Sequence, residues 1–211
     1  FDITGQTLTI TNVASFGGAN VDVKLFGTLS IALAGQATKT ITKMAQVTIN
    51  KNAAGQGPGN TSQRNVYGFR VADKSLSLNK GDGFQFHAVY ESANITTVPT
   101  PPTLTIAGAS GTFTTGEIIT GGASGATGRV IIDSNPSLKY VILSGTFTTL
   151  DTITGGTSGK TATVSAVDVG DTNITSSFTY DTGQRDSFYD IARLVRKPDA
   201  ITPVGQILII H

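Results

Sequence analysis

The sequence contains a glycine-rich segment of the kind that binds phosphate. Residues 155–161 (GGTSGKT) end in the Gly-Lys-Thr of a phosphate-binding loop, in which backbone N–H groups surround the phosphates and the lysine contacts them. However, Thr154 replaces the leading glycine of that motif, and the residues after Thr161 alternate like a strand where a helix is required. A related segment of the chain also has Ala126 in place of Lys160. We therefore predict a backbone turn in this segment.

Carboxylates and histidines form few other groupings with a chemical meaning. Asp168, Asp171 and Asn173 have a spacing that would let their oxygens bind Ca²⁺, although Asx side chains that stabilise turns explain the same pattern. The two histidines, His87 and His211, have no partner at metal-ligand spacing, and the chain has no cysteine. No catalytic triad or cofactor motif is visible, so we predict no cofactor and no enzymatic activity.

Charged residues of both signs alternate near the end of the chain. Four basic residues between Arg185 and Lys197 are interleaved with four aspartates between Asp181 and Asp199. Mixed signs favour ion pairs within or between subunits over a phosphate-binding surface. The candidate subunit-contact residues in this segment are Arg185, Asp186, Tyr189, Arg193 and Arg196.

Composition excludes several classes of protein. The 211 residues carry 15 basic and 14 acidic side chains, so the net charge of +1 argues against nucleic acid as the main partner. The longest apolar stretch, residues 25–34, is interrupted by polar residues and too short to span a bilayer, so we expect no membrane insertion. With no Trp and 7% aromatic residues, the chain lacks the signature of a polysaccharide-degrading cleft.

Strand patterns must position these side chains. The 33 Thr and 25 Gly, with many Val and Ile, favour pleated strands joined by tight turns. Residues 8–10, 21–33 and 47–49 alternate with a period of two, and Phe84, Phe86, Ala88 and Tyr90 form the clearest such pattern. Residues 53–63 read as an exposed loop, and residues 207–210 as a last strand. These patterns predict an all-β, sandwich-like fold.

An internal repeat lies behind a proline-rich break at residues 98–102. Residues 110–130 and 144–164 align at a period of 34 residues, with 14 of 21 positions identical, and each copy reads as strand, Gly-Gly turn, strand. We predict serial β-sandwich-like modules: residues 1–98, an inserted Thr/Gly hairpin-repeat module at 99–169, and a C-terminal segment at 170–211 that completes the first domain. At most one short helix, or an extended arm, is expected at residues 186–197, where Phe188, Ile191, Leu194 and Val195 have the spacing of one apolar helix face.

Several of these segments together resemble a known family. Residues 74–82 (KSLSLNKGD), the SGTFTT repeats and residues 181–190 (DTGQRDSFYD) are similar to the large virion structural proteins of contractile-tailed cyanobacterial phages. The resemblance covers most of residues 66–200. Because the chain starts at Phe1 and ends within a predicted strand, we expect it to be a segment of a longer polypeptide.

The resemblance implies a non-enzymatic component of a phage tail, baseplate or fibre. Such a protein acts by subunit assembly, with copies of itself and neighbouring virion proteins as partners, and is localised in the virion after assembly in the host cytoplasm. The alternative is an adhesion module that binds a host-surface carbohydrate through residues 53–63 and the repeat turns, with Tyr67 and Tyr90 as candidate contacts.

Overall fold

The chain divides into two compact units, Phe1–Thr40 and Ile41–His211. The structure, a computed structural model, describes the backbone of residues 2–4 and 7–9, and residues 40–50, 68 and 70–211 in full. In the first unit, two short strands pair in antiparallel fashion.

The described residues form fifteen strands. In chain order they are β1 (Asp2–Thr4), β2 (Thr7–Thr9), β3 (Gln46–Ile49), β4 (Ser75–Gly81), β5 (Ala88–Glu91), β6 (Thr103–Ala107), β7 (Ile118–Gly121), β8 (Thr127–Ser134), β9 (Ser137–Ser144), β10 (Thr152–Gly155), β11 (Thr161–Asp168), β12 (Thr172–Asn173), β13 (Phe178–Asp181), β14 (Ile191–Arg196) and β15 (Ile207–Ile210). The all-β prediction is therefore confirmed. The described part contains one helix, a 3₁₀ turn at Thr175–Ser177, and no helix there is long and apolar enough to cross a bilayer.

Two sheets pack face to face as a sandwich. One has the strand order β12-β5-β15-β3 and the other β13-β14-β4, and both are antiparallel. Strands before and after the repeat module therefore pair in the same sheets. The last strand, β15, is central, and all four of its residues are buried. Between the sheets lies an aliphatic core that includes Ile49, Leu76, Leu194, Ile207 and Ile209, and burial of such side chains is the main stabilising contribution to the fold.

The repeat module is a closed barrel of six antiparallel strands in the cyclic order β6-β9-β8-β7-β10-β11. Each repeat contributes three strands, and β9, β10 and β11 each begin 34 residues after β6, β7 and β8. Of the six strand pairings, only β7–β8 and β10–β11 join strands of the same repeat. One repeat alone cannot close the barrel, because its outer strands find their partners in the other repeat.

Matching side chains of the two repeats fill the barrel. Ile119 and Ile153 occupy equivalent positions and are both fully buried, as are Leu104 and Leu138. The barrel also packs on the outer face of the four-stranded sheet. That contact is an apolar cluster of Met44, Ala88, Tyr90, Ile131, Val141, Leu208 and Ile210. Barrel and sandwich are therefore joined through packed side chains as well as through the chain connections.

Two sequence expectations are wrong in detail. The helical alternative for residues 186–197 fails, because Ile191–Arg196 forms the central strand β14, where Ala192 and Leu194 alternate into the core. The strand predicted from Phe84 begins only at Ala88. Phe84 lies in an irregular loop with its side chain exposed. The expectations for residues 10–39, the loop at 53–63 and Tyr67 lie outside the described residues.

One barrel turn holds a leucine in a backbone conformation that favours glycine. Leu150 has φ of 65°, whereas the equivalent residue of the first repeat is Gly116 with φ of 83°. A residue with a Cβ is destabilised by roughly 1–2 kcal/mol in the left-handed region. Glycine avoids this strain, but the unfolded chain of the glycine variant is more flexible, which cancels about half of the gain in stability. We expect Leu150→Gly to raise the free energy of unfolding by about 0.5–1 kcal/mol in urea titrations. Leu150→Ala keeps the Cβ, and an equal gain in that control would contradict the explanation.

Candidate functional site

The phosphate-loop-like segment is a turn whose backbone donors are already occupied. The N–H groups of Thr157 and Ser158 donate to Oε2 of Glu117, at 2.9 and 2.8 Å, and the Ser158 hydroxyl donates to Oε1 at 2.8 Å. Glu117 belongs to the other repeat, and its side chain is buried. A Cβ at Gly155 would lie 2.8 Å from both carboxylate oxygens, so the carboxylate requires glycine there. The protein itself supplies the anion that this turn binds.

The glycine turn of the first repeat is held in the same way by a carboxylate of the second repeat. Asp151, which corresponds to Glu117, accepts the N–H of Ala123 at 2.8 Å and the hydroxyl of Ser124 at 2.5 Å. Burial raises the pKa of both carboxyl groups, but the hydrogen bonds to serine and backbone donors outweigh it, so both pKa values lie below their ordinary values. Each repeat therefore holds the glycine turn of the other with an ionised carboxylate.

The side chains proposed for calcium stabilise turns. Asp168 accepts the N–H of Gly170 at 2.9 Å, and Asp171 accepts that of Thr100 at 2.7 Å. Asn173 accepts both the N–H and the hydroxyl of Thr175. Within the described ranges, no group of three or more His, Cys, Asp or Glu side chains could hold a metal ion.

The two histidines lie at one end of the four-stranded sheet, beside cationic residues. The backbone N–H of His87 donates to the carbonyl of Ile210 at 2.9 Å, which places His211 next to His87. Burial lowers the pKa of both imidazoles, with Arg129 of the barrel acting further on His87. Lys80, at the end of β4, and His87 itself act on His211. Protonation of either ring would therefore add charge where the neighbouring charges are already positive.

This arrangement predicts a loss of stability in acid. Because the pKa of each folded imidazole lies below 6.5, the unfolded chain binds more protons once the pH falls to that value. The free energy of unfolding should therefore decrease as the pH falls from neutral to values below 6.5. Urea titrations across this range measure it, and the His87→Gln/His211→Gln double variant should show a weaker dependence on pH. An unchanged dependence in that variant would contradict this assignment.

Exposed aromatic side chains gather at the same end of the sandwich. Among the described residues, the mostly exposed aromatics are Phe84, Phe188 and Tyr189, with exposed fractions of 88, 60 and 63%. They lie on two loops, residues 82–84 and 182–190, which we call the aromatic end. The loops are joined by hydrogen bonds from the Gly83 N–H to the Thr182 carbonyl and from the Gln184 amide to Asp82. Clustered exposed aromatics are typical of an interaction surface.

Ion pairs hold the longer loop in place. Asp181 accepts two hydrogen bonds from the Arg185 guanidinium, at 3.0 and 2.9 Å, and a third from Nε of Arg193 at 2.9 Å. The Gly183 N–H also donates to Asp181, and Asp190 lies 3.6 Å from Arg185. The hydrogen bonds from Arg185 hold the pKa of Asp181 well below its usual range, so the pairs persist at ordinary pH. The loop is therefore braced at its base while its tip is exposed.

The structure separates the five candidate contact residues. Arg185 and Arg193 meet at Asp181, within the subunit. Asp186 and Tyr189 are exposed at the tip of the loop. Arg196 lies at the opposite end of β14, where it donates to the carbonyl of Ala72 at 3.4 Å.

Sequence reasoning missed Phe84 and Phe188 as surface residues. The alternation from Phe84 to Tyr90 favoured a core position for Phe84, and helical spacing had assigned Phe188 to an apolar face. The Asp82-Gly83 pair, which marks a turn, was the signal that Phe84 lies outside the strand. Tyr90, a candidate glycan contact, is instead buried.

An open pocket of about 390 Å³ lies at the tip of this loop and is lined by residues 184–189. Its side chains offer an amide, a guanidinium, a carboxylate and a hydroxyl beside two aromatic rings. This combination suits binding through stacking and hydrogen bonds. No protein-family model, curated protein or solved structure gives a match to this chain.

Proposed function

We propose that this chain is a non-enzymatic structural protein of a phage virion, a segment of a tail, baseplate or fibre component that acts by subunit assembly. The observation that carries the proposal is the aromatic end. Three aromatic side chains are exposed on two neighbouring loops, of which the longer is braced by ion pairs and hydrogen-bonded to the shorter. A rigid, exposed aromatic surface loses little conformational entropy on binding, which suits a permanent contact with a neighbouring subunit.

The rest of the architecture supports the same proposal. Barrel and sandwich are stiff β modules, and the buried carboxylates and glycine turns serve the fold. The carboxylates with displaced pKa values, Glu117, Asp151 and Asp181, are each held by several hydrogen bonds inside the protein. Perturbed carboxylates often mark active sites, but here each has a structural partner that accounts for the shift.

Mass spectrometry of purified phage particles tests this proposal. We expect peptides of this chain in intact particles, at a constant ratio to known tail proteins, after washing in high salt. Peptides that are found in infected lysates but are absent from the particles would contradict it. Turnover of cell-wall or capsule polysaccharide by the purified chain would equally contradict a non-enzymatic role.

A second candidate function is binding of a host-surface glycan, which the pocket at residues 184–189 favours. Aromatic rings stack on the apolar faces of sugars, and the amide and carboxylate beside them accept or donate hydrogen bonds to hydroxyl groups. A glycan array probes this function. Binding that is lost in Phe188→Ser but retained in Leu150→Ser, an exposed control on the barrel, would support it, and an array without signal would exclude it.

A further inference from the structure

Five basic side chains gather where the barrel meets one end of the four-stranded sheet. Each comes from a different element: one precedes β3, one lies in β4, one precedes β5, one lies in β8 and one follows β15. In that order they are Lys43, Lys80, His87, Arg129 and His211, and we call them the cationic cluster. Only the tertiary fold brings these five residues together.

Backbone hydrogen bonds set the histidines of the cluster beside the segment that carries Lys43. The Ala45 N–H donates to the carbonyl of His211 at 2.7 Å, and the His211 N–H donates to the carbonyl of Ala45 at 3.0 Å. On its other side, the strand that ends at Ile210 accepts the N–H of His87. His211 therefore lies between the segments of Lys43 and His87.

The barrel contributes a guanidinium to the same place. Nη1 of Arg129 donates to the carbonyl of Gly116 at 2.7 Å. A Cβ at Gly116 would lie 3.1 Å from Cδ of Lys43, so the lysine side chain runs across this glycine. Arg129 and Lys43 thus meet at Gly116. The charge of Arg129 also reaches His87, where it adds to burial in lowering the pKa of the imidazole.

Within the described ranges, no carboxylate side chain pairs with the cationic cluster. The ion pairs found there all belong to Arg185 and Arg193. Two acids lie close to the cluster along the chain, but their carboxylates have other partners. Asp82 accepts the amide of Gln184, and Glu117 holds the glycine turn of the other repeat. The side chains of the cluster therefore form an excess of positive charge.

Polar atoms of the cluster also lack partners. Nε of Arg129 and Nε2 of His211 are buried and have no hydrogen-bond partner among the residues that the structure describes. Like charges repel, and a buried polar atom without a partner is destabilising. A main-chain carboxylate at His211 would remove only part of the excess charge, since Lys43, Lys80 and Arg129 are all cationic at neutral pH. A bound anion would compensate the remainder.

We propose that the cationic cluster binds a phosphate-type oxyanion between the barrel and the sandwich. The anion would lie between Arg129 and the two imidazoles, with the ammonium groups of Lys43 and Lys80 on either side of it. Guanidinium and ammonium groups are the usual phosphate ligands of proteins, and an imidazolium donates from both ring nitrogens. Free phosphate or sulfate fits this chemistry, as does the phosphate or sulfate group of a host-surface sugar.

Calorimetric titration of the full chain with inorganic sulfate tests the site. Sulfate keeps its double charge over the pH range in which histidine titrates, so changes in affinity report on the protein. We expect saturable binding at one site, with a dissociation constant on the order of 1 mM. Chloride at the same ionic strength should give no such binding. Heat without saturation, or the same response to chloride, would show charge screening alone and overturn the proposal.

Single substitutions identify the side chains that bind sulfate. Lys43→Gln and Lys80→Gln should each weaken binding roughly fivefold, and Arg129→Gln roughly tenfold. Both lysines are exposed, so the lysine variants should keep the fold and test the site even where Arg129→Gln unfolds the chain. Lys197→Gln is the matched control, because this exposed lysine follows β14 at the end away from Lys80. An equal loss in the control overturns the proposal.

The pH dependence of sulfate binding distinguishes a site beside imidazoles from a patch of lysines. An anion favours the charged imidazole, so sulfate should bind severalfold more tightly at about pH 6 than at about pH 8. The lysines, Arg129 and a main-chain carboxylate do not titrate in this range. The His87→Gln/His211→Gln double variant should therefore bind weakly and almost equally at both pH values. Affinity of the original chain that does not change with pH would overturn the placement of the anion.

Glucose 6-phosphate and glucose distinguish the two sources of the anion. Binding of the sugar phosphate about as tightly as sulfate assigns the site to phosphorylated sugars, and binding of sulfate alone assigns it to a free ion. Either result supports the oxyanion site, whereas glucose that binds as well as its phosphate overturns it. The proposed structural role would survive this failure, because it depends on the aromatic end and on the presence of the chain in particles.

Discussion

Replacing Glu117 by alanine should lower the free energy of unfolding by about 3–5 kcal/mol. Its carboxylate accepts the N–H groups of Thr114, Thr157 and Ser158 and the Ser158 hydroxyl. A buried donor that loses a charged acceptor costs about 1–3 kcal/mol, although water that enters the turn offsets part of the sum. Urea titration followed by circular dichroism measures the change.

Two control variants make the Glu117 result specific. Glu117→Asp should lose only about 1–2 kcal/mol, because the aspartate at position 151 performs the same role in the other repeat. Asp186→Ala removes an exposed acid and should change stability by less than about 0.5 kcal/mol. A loss below about 1 kcal/mol in Glu117→Ala would show that these turns do not need the carboxylate.

Replacing Ile209 by alanine should lower the free energy of unfolding by about 3 kcal/mol. Ile209 is fully buried in the central strand β15, where it lies opposite Val47 on one neighbour and Val89 on the other. Removal of the buried methyl and methylene groups loses transfer free energy and leaves a cavity that the rigid sheet fills only in part.

Thermal unfolding and urea titration of Ile209→Ala test this prediction against a matched control. Ile201→Ala makes the same chemical change at a side chain that is 86% exposed, and we expect it to alter stability by less than about 0.5 kcal/mol. Equal effects of the two variants would mean that β15 does not close the sandwich core. A loss of stability in Ile209→Ala alone would show that the segment after the barrel is essential to the sandwich core.

The 34-residue repeat predicted four of the six barrel strands from the sequence. Identity over residues 110–130 and 144–164 predicted two hairpin units, which correspond to β7–β8 and β10–β11. The first strand of each repeat was missed because β6 (TLTIA) and the matching start of β9 (SLKYV) share only Leu104 and Leu138. Both leucines are fully buried, so packing requires a leucine at these two equivalent positions, whereas the other residues of the two strands differ.

The aromatic end was only partly predictable. Mixed charges between residues 181 and 199 correctly indicated ion pairs, and they lie within the subunit at Asp181, Arg185 and Arg193. Their geometry depends on the register of β13 and β14, which sets Asp181 opposite Arg193. The exposure of Phe84 could not be read from its alternation with Phe86, because the pattern gives no information on where the sheet ends.

The all-β class, the 34-residue repeat and the last strand can be read from the amino-acid sequence alone, because period-two alternation and internal identity are local properties. The closure of six strands into a barrel and the packing of two sheets as a sandwich depend on the tertiary fold. The same holds for the carboxylate that binds a turn 40 residues away and for the two hydrogen-bonded loops that expose aromatic rings. These features depend on strand register and on packing between distant segments, and a local pattern specifies neither.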